Sequence, residues 1–270
     1  MTLRTSKPIR LAITGPGGQM GQHLVRALQR APDIHLVAAI SPRHAGCDVG
    51  EIAGIGALGL PVTDDLATTL AKTCPDVLVD FTRPDAAAGI AEQALRSGVR
   101  PVIGTSGLNE SEIDRLRAFT ETSQLSALLA SNFALGAVLM MRFAREAARY
   151  FEHAEVLELH HDKKRDAPSG TSLQTVSELL SVRPQFSDPC VQGQELLPGA
   201  RGAEKDGVRI HSVRLPGLLA HQEVLFGSEG QLLTLRHDAF DRSCYMPGVL
   251  LAVRKIVDLR GFLVGLESVF

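Results

Sequence analysis

The run Ile9–Thr14, followed at once by Gly15-Pro16-Gly17-Gly18-Gln19-Met20-Gly21, constrains this chain more than any other stretch. A short apolar, β-rich segment ends in a cluster of glycines. Residues 19–30 then carry Met20, Leu24 and Leu28 on one helical face. A strand that turns sharply into a helix opens a βα unit. The glycines let backbone N–H groups approach a pyrophosphate, and the helix N-terminus adds partial positive charge. Gly15, Pro16, Gly17, Gly18, Gln19, Met20 and Gly21 are therefore candidate cofactor residues. Met20 stands at the usual third-glycine position, with glycine one residue later at Gly21. A plain strand-to-helix turn is the competing reading.

The alternation continues. Ile34–Ile40 reads as a strand buried on both sides, residues 77–81 as a third strand, and 85–96 as a helix stopped by Gly98. Val102-Ile103 leads into a turn, 110–122 is helical, and 125–130 is again a strand. Such alternation predicts a Rossmann-type, doubly wound parallel sheet with right-handed crossovers. After Asn132 the pattern changes to a long helix over 134–150, a strand over 155–161 and a helix over about 168–180. A Pro/Gly-bearing loop over roughly 184–205 precedes three β-like runs, Val208–Arg214, 223–226 and 231–236, and a last helix over about 245–259. The expected fold class is α/β: a dinucleotide-binding domain over 1–131 and an α+β substrate and oligomerisation domain over 132–241. The C-terminal segment, about 242–270, can pack back onto the first domain.

The end of the second strand should meet the adenosine ribose. An NAD-preferring site places an acid there. This chain has Ser41 instead, with the always-charged guanidinium of Arg43 close by, a planar donor suited to a 2′-phosphate. NADPH is the favoured cofactor on this basis, with NADH also accepted. Ligands of open α/β sheets sit at the carboxyl ends of the strands. Phe81, the turn Gly104-Thr105-Ser106 and the segment Ala130-Ser131-Asn132-Phe133 are thus candidates for the nicotinamide wall. Ordinary turn chemistry would explain them equally.

The stretch from Glu158 to Thr171 joins titratable groups at a strand end to a helix start. Pro168 near the first helical position and Ser169-Gly170-Thr171 leave backbone N–H groups free for an anion. A lysine adds a point charge, and a histidine supplies a proton near neutral pH. An anion site beside a general acid suits reduction of an acidic small molecule. Against this, His160 and His161 on a regular strand point to opposite faces, and a polar strand end running into a helix cap needs no catalysis.

The residues now carry a specific resemblance. The glycine turn, Asp80-Phe81-Thr82-Arg83-Pro84, Gly104-Thr105-Ser106-Gly107, Asn132-Phe133-Ala134-Leu135-Gly136 and His160-His161-Asp162-Lys163-Lys164-Arg165-Asp166-Ala167-Pro168-Ser169-Gly170-Thr171 resemble the bacterial 4-hydroxy-tetrahydrodipicolinate (dihydrodipicolinate) reductase family nearly end to end. Arg214, Gly217, His221, His237, Arg242 and Gly248 fall where the family has comparable residues. The resemblance implies reduction of a cyclic, unsaturated pyridine dicarboxylate in lysine and diaminopimelate biosynthesis, with hydride from nicotinamide C4 and a proton from a histidine. His160 corresponds to that proton donor and Lys164 to the second catalytic residue. His161, Ser169, Gly170 and Thr171 would bind the substrate, and Lys163 has no role. Pro216 and Ala220 stand where many members have glycine, and Ser41 departs from an acidic residue seen in some. The resemblance, with the run of strands after 208, also implies a homotetramer held mainly by the second domain's sheet. Another two-domain NAD(P)-dependent dehydrogenase, or a non-catalytic NADP-sensing relative, are the alternatives.

Composition sets the outer bounds. A net charge of −2 argues against partners captured by bulk electrostatics, nucleic acid or anionic membrane. No apolar stretch approaches a membrane span, and the first ten residues have no apolar signal core. Cys47, Cys74, Cys190 and Cys244 are widely spaced, which suggests reduced thiols in a cytoplasmic enzyme and no metal site.

Overall fold

The computed structural model describes residues 7–187 and 195–270. Its elements begin with β1 (Ile9–Thr14), α1 (Gln19–Leu28), β2 (Ile34–Ile40), α2 (Val49–Ile52), α3 (Leu66–Thr73), β3 (Val77–Asp80) and α4 (Pro84–Arg96). They continue through β4 (Arg100–Ile103), α5 (Glu110–Ser123), β5 (Ser126–Leu129), α6 (Leu135–Ala147), β6 (His153–His160) and α7 (Gly170–Val182). The last are β7 (Ala203–Lys205), β8 (Val208–Arg214), β9 (Ala220–Ser228), β10 (Gln231–Ala239), α8 (Met246–Ile256) and β11 (Gly261–Val264). Contacts divide the chain into two compact units. One runs to Phe133 and regains Tyr245–Phe270; the other is Ala134–Cys244.

The first unit is built on six parallel strands in the order β11-β5-β4-β3-β1-β2. Chain order reverses at β1, which has β2 on one side and β3 on the other, so the carboxyl ends of β1 and β3 form the topological switch point. Ala38 and Ile40 of β2 pack with Leu70 of α3, Ala12 and Leu78. Ala87, Ala91 and Leu95 of α4 pack with Ile103, Leu116 and Ala127 in a separate core cluster. The expectation that β2 is buried on both sides fails over its first half: His35 is exposed, and Leu36 and Val37 are half-buried. β2 is the outermost strand, so only the part beside α3 is enclosed.

Four elements escape a sequence reading. α3 is short and carries three threonines, weak helix formers, yet it is started by Asp65, whose side chain accepts from the Thr68 N–H at 3.0 Å. α2 has only four residues, capped by Asp48. β11 has three apolar residues, too short a signal alone, and exists because it pairs in parallel with β5. β7 is a three-residue exposed edge strand. α8 packs within the first unit and is shorter than the 245–259 span the sequence suggested.

The second unit holds a mixed five-stranded sheet, β10-β9-β6-β8-β7, in which only β6 and β8 are parallel. Residues pointing to one face (Val156, Glu158, Ile210, Gln222, Val224, Phe226) are buried or nearly so, and α6 and α7 lie on that side. The opposite face carries half-buried Leu157, Leu159 and Leu225 and exposed Leu232. α6 begins one residue later than the 134–150 pattern and stops three residues earlier, giving way to turns before Phe151. β6 ends at His160, so His161 already lies in the following loop. The N-cap of α7 is Ser169, and Pro168 therefore precedes the cap rather than opening the helix.

Of the cysteines, Cys47 and Cys74 are exposed, Cys244 is half-buried, and all three are free; Cys190 and part of the 184–205 loop lie outside the described residues. Among the described residues no helix is long and apolar enough to cross a membrane, and no group of three acidic, histidine or cysteine side chains gathers as for a metal.

Candidate active site

In the first unit the glycine turn leaves β1 at the switch point. Gly15 has φ +74°, and a Cβ there would stand 2.6 Å from the Phe81 carbonyl oxygen, so backbone conformation and close approach to the β3 end both require glycine. A Cβ at Gly21 would stand 2.3 Å from the Gly15 carbonyl oxygen. Gly21 thus does what the third glycine of the fingerprint normally does: it lets the helix close onto the turn. Gly18 is an exposed N-cap with no side-chain hydrogen bond, which leaves the first N–H groups of α1 open to an anion. These features fit a dinucleotide pyrophosphate.

Asp80 at the end of β3 ties the neighbouring strand ends together. Its buried carboxylate accepts from the hydroxyls of Thr14 (2.6 Å), Thr82 (2.7 Å) and Thr105 (2.8 Å). The Thr105 hydroxyl is therefore engaged, which leaves the backbone groups of its turn and the exposed Ser106 side chain to meet a cofactor. Phe81 and Phe133 meet edge to face, with centroids 6.2 Å apart. Ala130 and Phe133 are buried, whereas Ser106 and Ser131 are exposed. Ser41 and Arg43 sit at and beyond the end of β2, Arg43 on an exposed single turn over Pro42–His44. The sequence reading missed His44. Its Nδ1 lies 3.3 Å from Ser41 Oγ, and its ring lies against Gly17. A histidine four residues beyond the strand end was the available signal.

In the second unit the carboxyl end of β6 meets the N-terminus of α7. His160 is largely buried, and its Nδ1 bonds to the Glu158 carboxylate. Glu158, fully buried, also accepts Arg214 through both terminal nitrogens, at 2.9 and 2.7 Å, and the Ser169 N–H at 3.3 Å. Burial pushes its carboxyl up, but hydrogen bonds from His160, Arg214 and Ser212 outweigh that and leave its pKa at about 2. A carboxylate can only accept, so the His160 proton on that side belongs to Nδ1 and the lone pair or second proton to Nε2.

Lys164 and His161 lie in one turn, joined by Lys164 N–H to His161 carbonyl at 3.1 Å. The Lys164 ammonium touches both Asp166 oxygens at 2.9 Å, and this bond draws the Asp166 carboxyl below its ordinary range. Asp166 is largely exposed, so the pair is weak, and an incoming carboxylate can take the ammonium over. Ser169 is buried, and its hydroxyl accepts from Ser172 N–H at 3.2 Å. With both its N–H and its hydroxyl engaged, Ser169 shapes the cap, and the N–H groups of Gly170 and Thr171 remain for an anion. Lys163 is exposed.

Comparison with known proteins agrees across both units. The N-terminal model of dihydrodipicolinate reductase matches residues 9–133, and the C-terminal model matches 136–270. A 4-hydroxy-tetrahydrodipicolinate reductase of Desulfitobacterium hafniense is 48% identical over 267 residues, covering 97% of this chain and 98% of the relative. One from Geobacillus kaustophilus is 49% identical over 261 residues, with the same coverage. A dipicolinate-bound dihydrodipicolinate reductase from a Paenisporosarcina species superposes with TM-score 0.89 at 41% identity, covering 97% of this chain and all of that one. An amine dehydrogenase of Mycobacterium smegmatis, at TM-score 0.70 and 14% identity, shares the fold alone.

Proposed function

The chain belongs to the dihydrodipicolinate reductase family and is an NAD(P)H-dependent 4-hydroxy-tetrahydrodipicolinate reductase, and we propose that His160 is its proton donor and Lys164 the cation that holds a substrate carboxylate and assists protonation. The observation that carries this assignment is the His160–Glu158 hydrogen bond, which fixes which ring nitrogen is available for transfer.

In this reading the turn from Gly15 to Gly21 holds the cofactor's pyrophosphate. Ser41, Arg43 and His44 surround the ribose end. Phe81, Gly104, Thr105, Ser106, Ala130, Ser131, Asn132 and Phe133 border the nicotinamide. Bound there, the nicotinamide supplies the hydride at its C4. The residues of the second unit bind and orient the substrate. The Gly170 and Thr171 N–H groups take one carboxylate at the α7 N-terminus, Lys164 takes the other, and His161 adds a contact from the loop. His160 then hands a proton to the reduced ring. The protein's contribution is positioning and charge neutralisation.

NADPH is the preferred cofactor in this reading, because no acid stands at Ser41 to exclude a 2′-phosphate and a guanidinium stands two residues on. A homotetramer assembled through the second unit's sheet is supported by that sheet's one-sided cover and by the leucines on its other face. A cytoplasmic location suits the three free cysteines.

The experiment is a coupled assay. Purified protein should oxidise NADPH only when the product of dihydrodipicolinate synthase is supplied. Oxidation without that product, or none with it, would refute the assignment, the latter favouring a cofactor sensor that has lost its chemistry.

A further inference from the structure

Glu158 lies between the proton donor and the helix that receives the substrate's anion. It is fully buried and accepts from His160 Nδ1, from both terminal nitrogens of Arg214 and from the N-cap N–H of Ser169. Arg214 in turn donates to the Asp166 carbonyl at 2.7 Å, anchoring the loop that carries Lys164. The face continues as a polar ladder: Gln222, opposite Glu158 on β9, accepts from Ser172 Oγ at 2.8 Å and donates to Thr175 Oγ1 at 2.6 Å. Strand and helix are thus joined through buried side chains whose carboxylate, amide and hydroxyl groups are hydrogen-bonded, while the buried Nε of Arg214 has no partner.

A buried carboxylate without partners would protonate or move. Here Arg214 supplies a compensating charge in a planar, two-point geometry that holds the carboxylate's orientation as well as its ionisation. Glu158 and His160 are two apart on one strand and so share a face. The other charged and titratable groups of this strand end are Arg214 on β8 and His161, Lys164 and Asp166 in the loop. β9 brings Ala220 and Gln222 to this face, while His221 pairs with Leu159 on the other; α7 brings uncharged Ser169 and Ser172.

We propose that Glu158 is a positioning residue for the reaction: clamped by Arg214, its carboxylate fixes the His160 ring with a proton on Nδ1, so that Nε2 is the atom that delivers the proton to the substrate. This rests on His160 being the donor. In the transfer step the Nε2–H bond of the imidazolium breaks and a C–H bond forms on the reduced substrate. The N–H electron pair stays on Nε2, and the ring is left neutral with its Nδ1 proton still held by Glu158; solvent then reprotonates Nε2. The carboxylate excludes the tautomer that would turn an acceptor pair of electrons at Nδ1 towards it.

The test uses the intact enzyme. Glu158→Gln keeps the shape but loses the charge. Its kcat should fall about tenfold to a hundredfold at pH 8, and the alkaline limb of the kcat profile should move to lower pH because the carboxylate charge is gone. NADPH affinity, measured by fluorescence titration, should be unchanged. Combining it with His160→Gln should add nothing to the loss caused by His160→Gln alone. A uniform loss at every pH with an unmoved limb, or full additivity, would overturn the proposal and leave Glu158 a structural ion pair. Should Glu158→Gln not fold, Arg214→Lys provides the same readouts with a smaller shift. Nitrogen-15 NMR of the wild-type His160 ring provides an independent one: a neutral ring protonated on Nε2 overturns the proposal, and one protonated on Nδ1 supports it. If His160→Gln instead retains the alkaline limb, the donor assignment itself has failed, whatever the Glu158 variant does.

Discussion

The imidazole of His44 lies so close over Gly17 that a Cβ on that glycine would stand 2.2 Å from the ring's Cε1. Ser41 Oγ lies 3.3 Å from Nδ1 of the same ring. The ring is therefore held against the glycine turn, while Arg43 beside it extends into solvent.

This arrangement separates two kinds of cofactor loss. Arg43→Ala should weaken NADPH by roughly tenfold, the value of one charge-assisted contact of about 1.4 kcal/mol, and leave NADH nearly unchanged. His44→Ala should weaken both cofactors, because its ring supports the turn common to them. Fluorescence titration with each cofactor measures this. Equal losses of NADPH and NADH in Arg43→Ala would show that Arg43 does not read the 2′-phosphate.

His160→Gln should lower kcat by roughly 10²–10⁴-fold, the usual contribution of a general acid, with NADPH affinity preserved. Lys164→Ala should damage both kcat and KM if, as proposed, its ammonium holds a carboxylate as well as assisting protonation. Lys163→Ala is the control, an exposed neighbour that should be nearly neutral. Steady-state kinetics of the three variants decides the register. Damage from Lys163→Ala equal to that from Lys164→Ala would place the cation one residue earlier.

Asp80 answers to stability before it answers to catalysis. Asp80→Ala would deprive three hydroxyls of their acceptor, two of them buried. It should cost about 2–4 kcal/mol in urea unfolding. Asp80→Asn, which retains one acceptor oxygen, should cost roughly half as much. An alanine variant within about 0.5 kcal/mol of wild type would mean that the threonines find other partners.

Light scattering at micromolar concentration should give a tetramer. Leu232→Asp, on the sheet face not covered by α6 and α7, should shift the population towards smaller species without unfolding the subunit. A wild-type monomer, or a Leu232→Asp tetramer of unchanged stability, would contradict assembly through that face.

How far the sequence reached follows from where each signal lies. β1, the glycine turn, β2 and β8 are legible because strand pattern and turn chemistry sit within a few consecutive residues. His160, Lys164 and the α7 cap are legible through one contiguous string. β11 is not, because Phe262-Leu263-Val264 become a strand only beside β5, far away in the chain. α3 is not, because its threonines argue against the helix that Asp65 and the core contact of Leu70 enforce. Glu158 lay in plain view two residues before His160, yet its partner Arg214 stands on another strand, and only pairing β6 with β8 brings the two together. His44 is hidden likewise: its significance is contact with Gly17, which no local pattern encodes.

The return of α8 and β11 to the first unit has a consequence during synthesis. As the chain emerges from the ribosome, residues Ala134–Cys244 can complete their own sheet while the first sheet still lacks its sixth strand. β5 is then a temporary outer strand with open hydrogen-bonding groups, and Ser126 waits for the Ile256 carbonyl that its hydroxyl will reach at 2.6 Å. The unit translated first is thus finished last. A polypeptide released early, short of its closing strand, would carry an intact second sheet and an unfinished nucleotide fold, a form in which quality control can recognise the fault in the first unit alone.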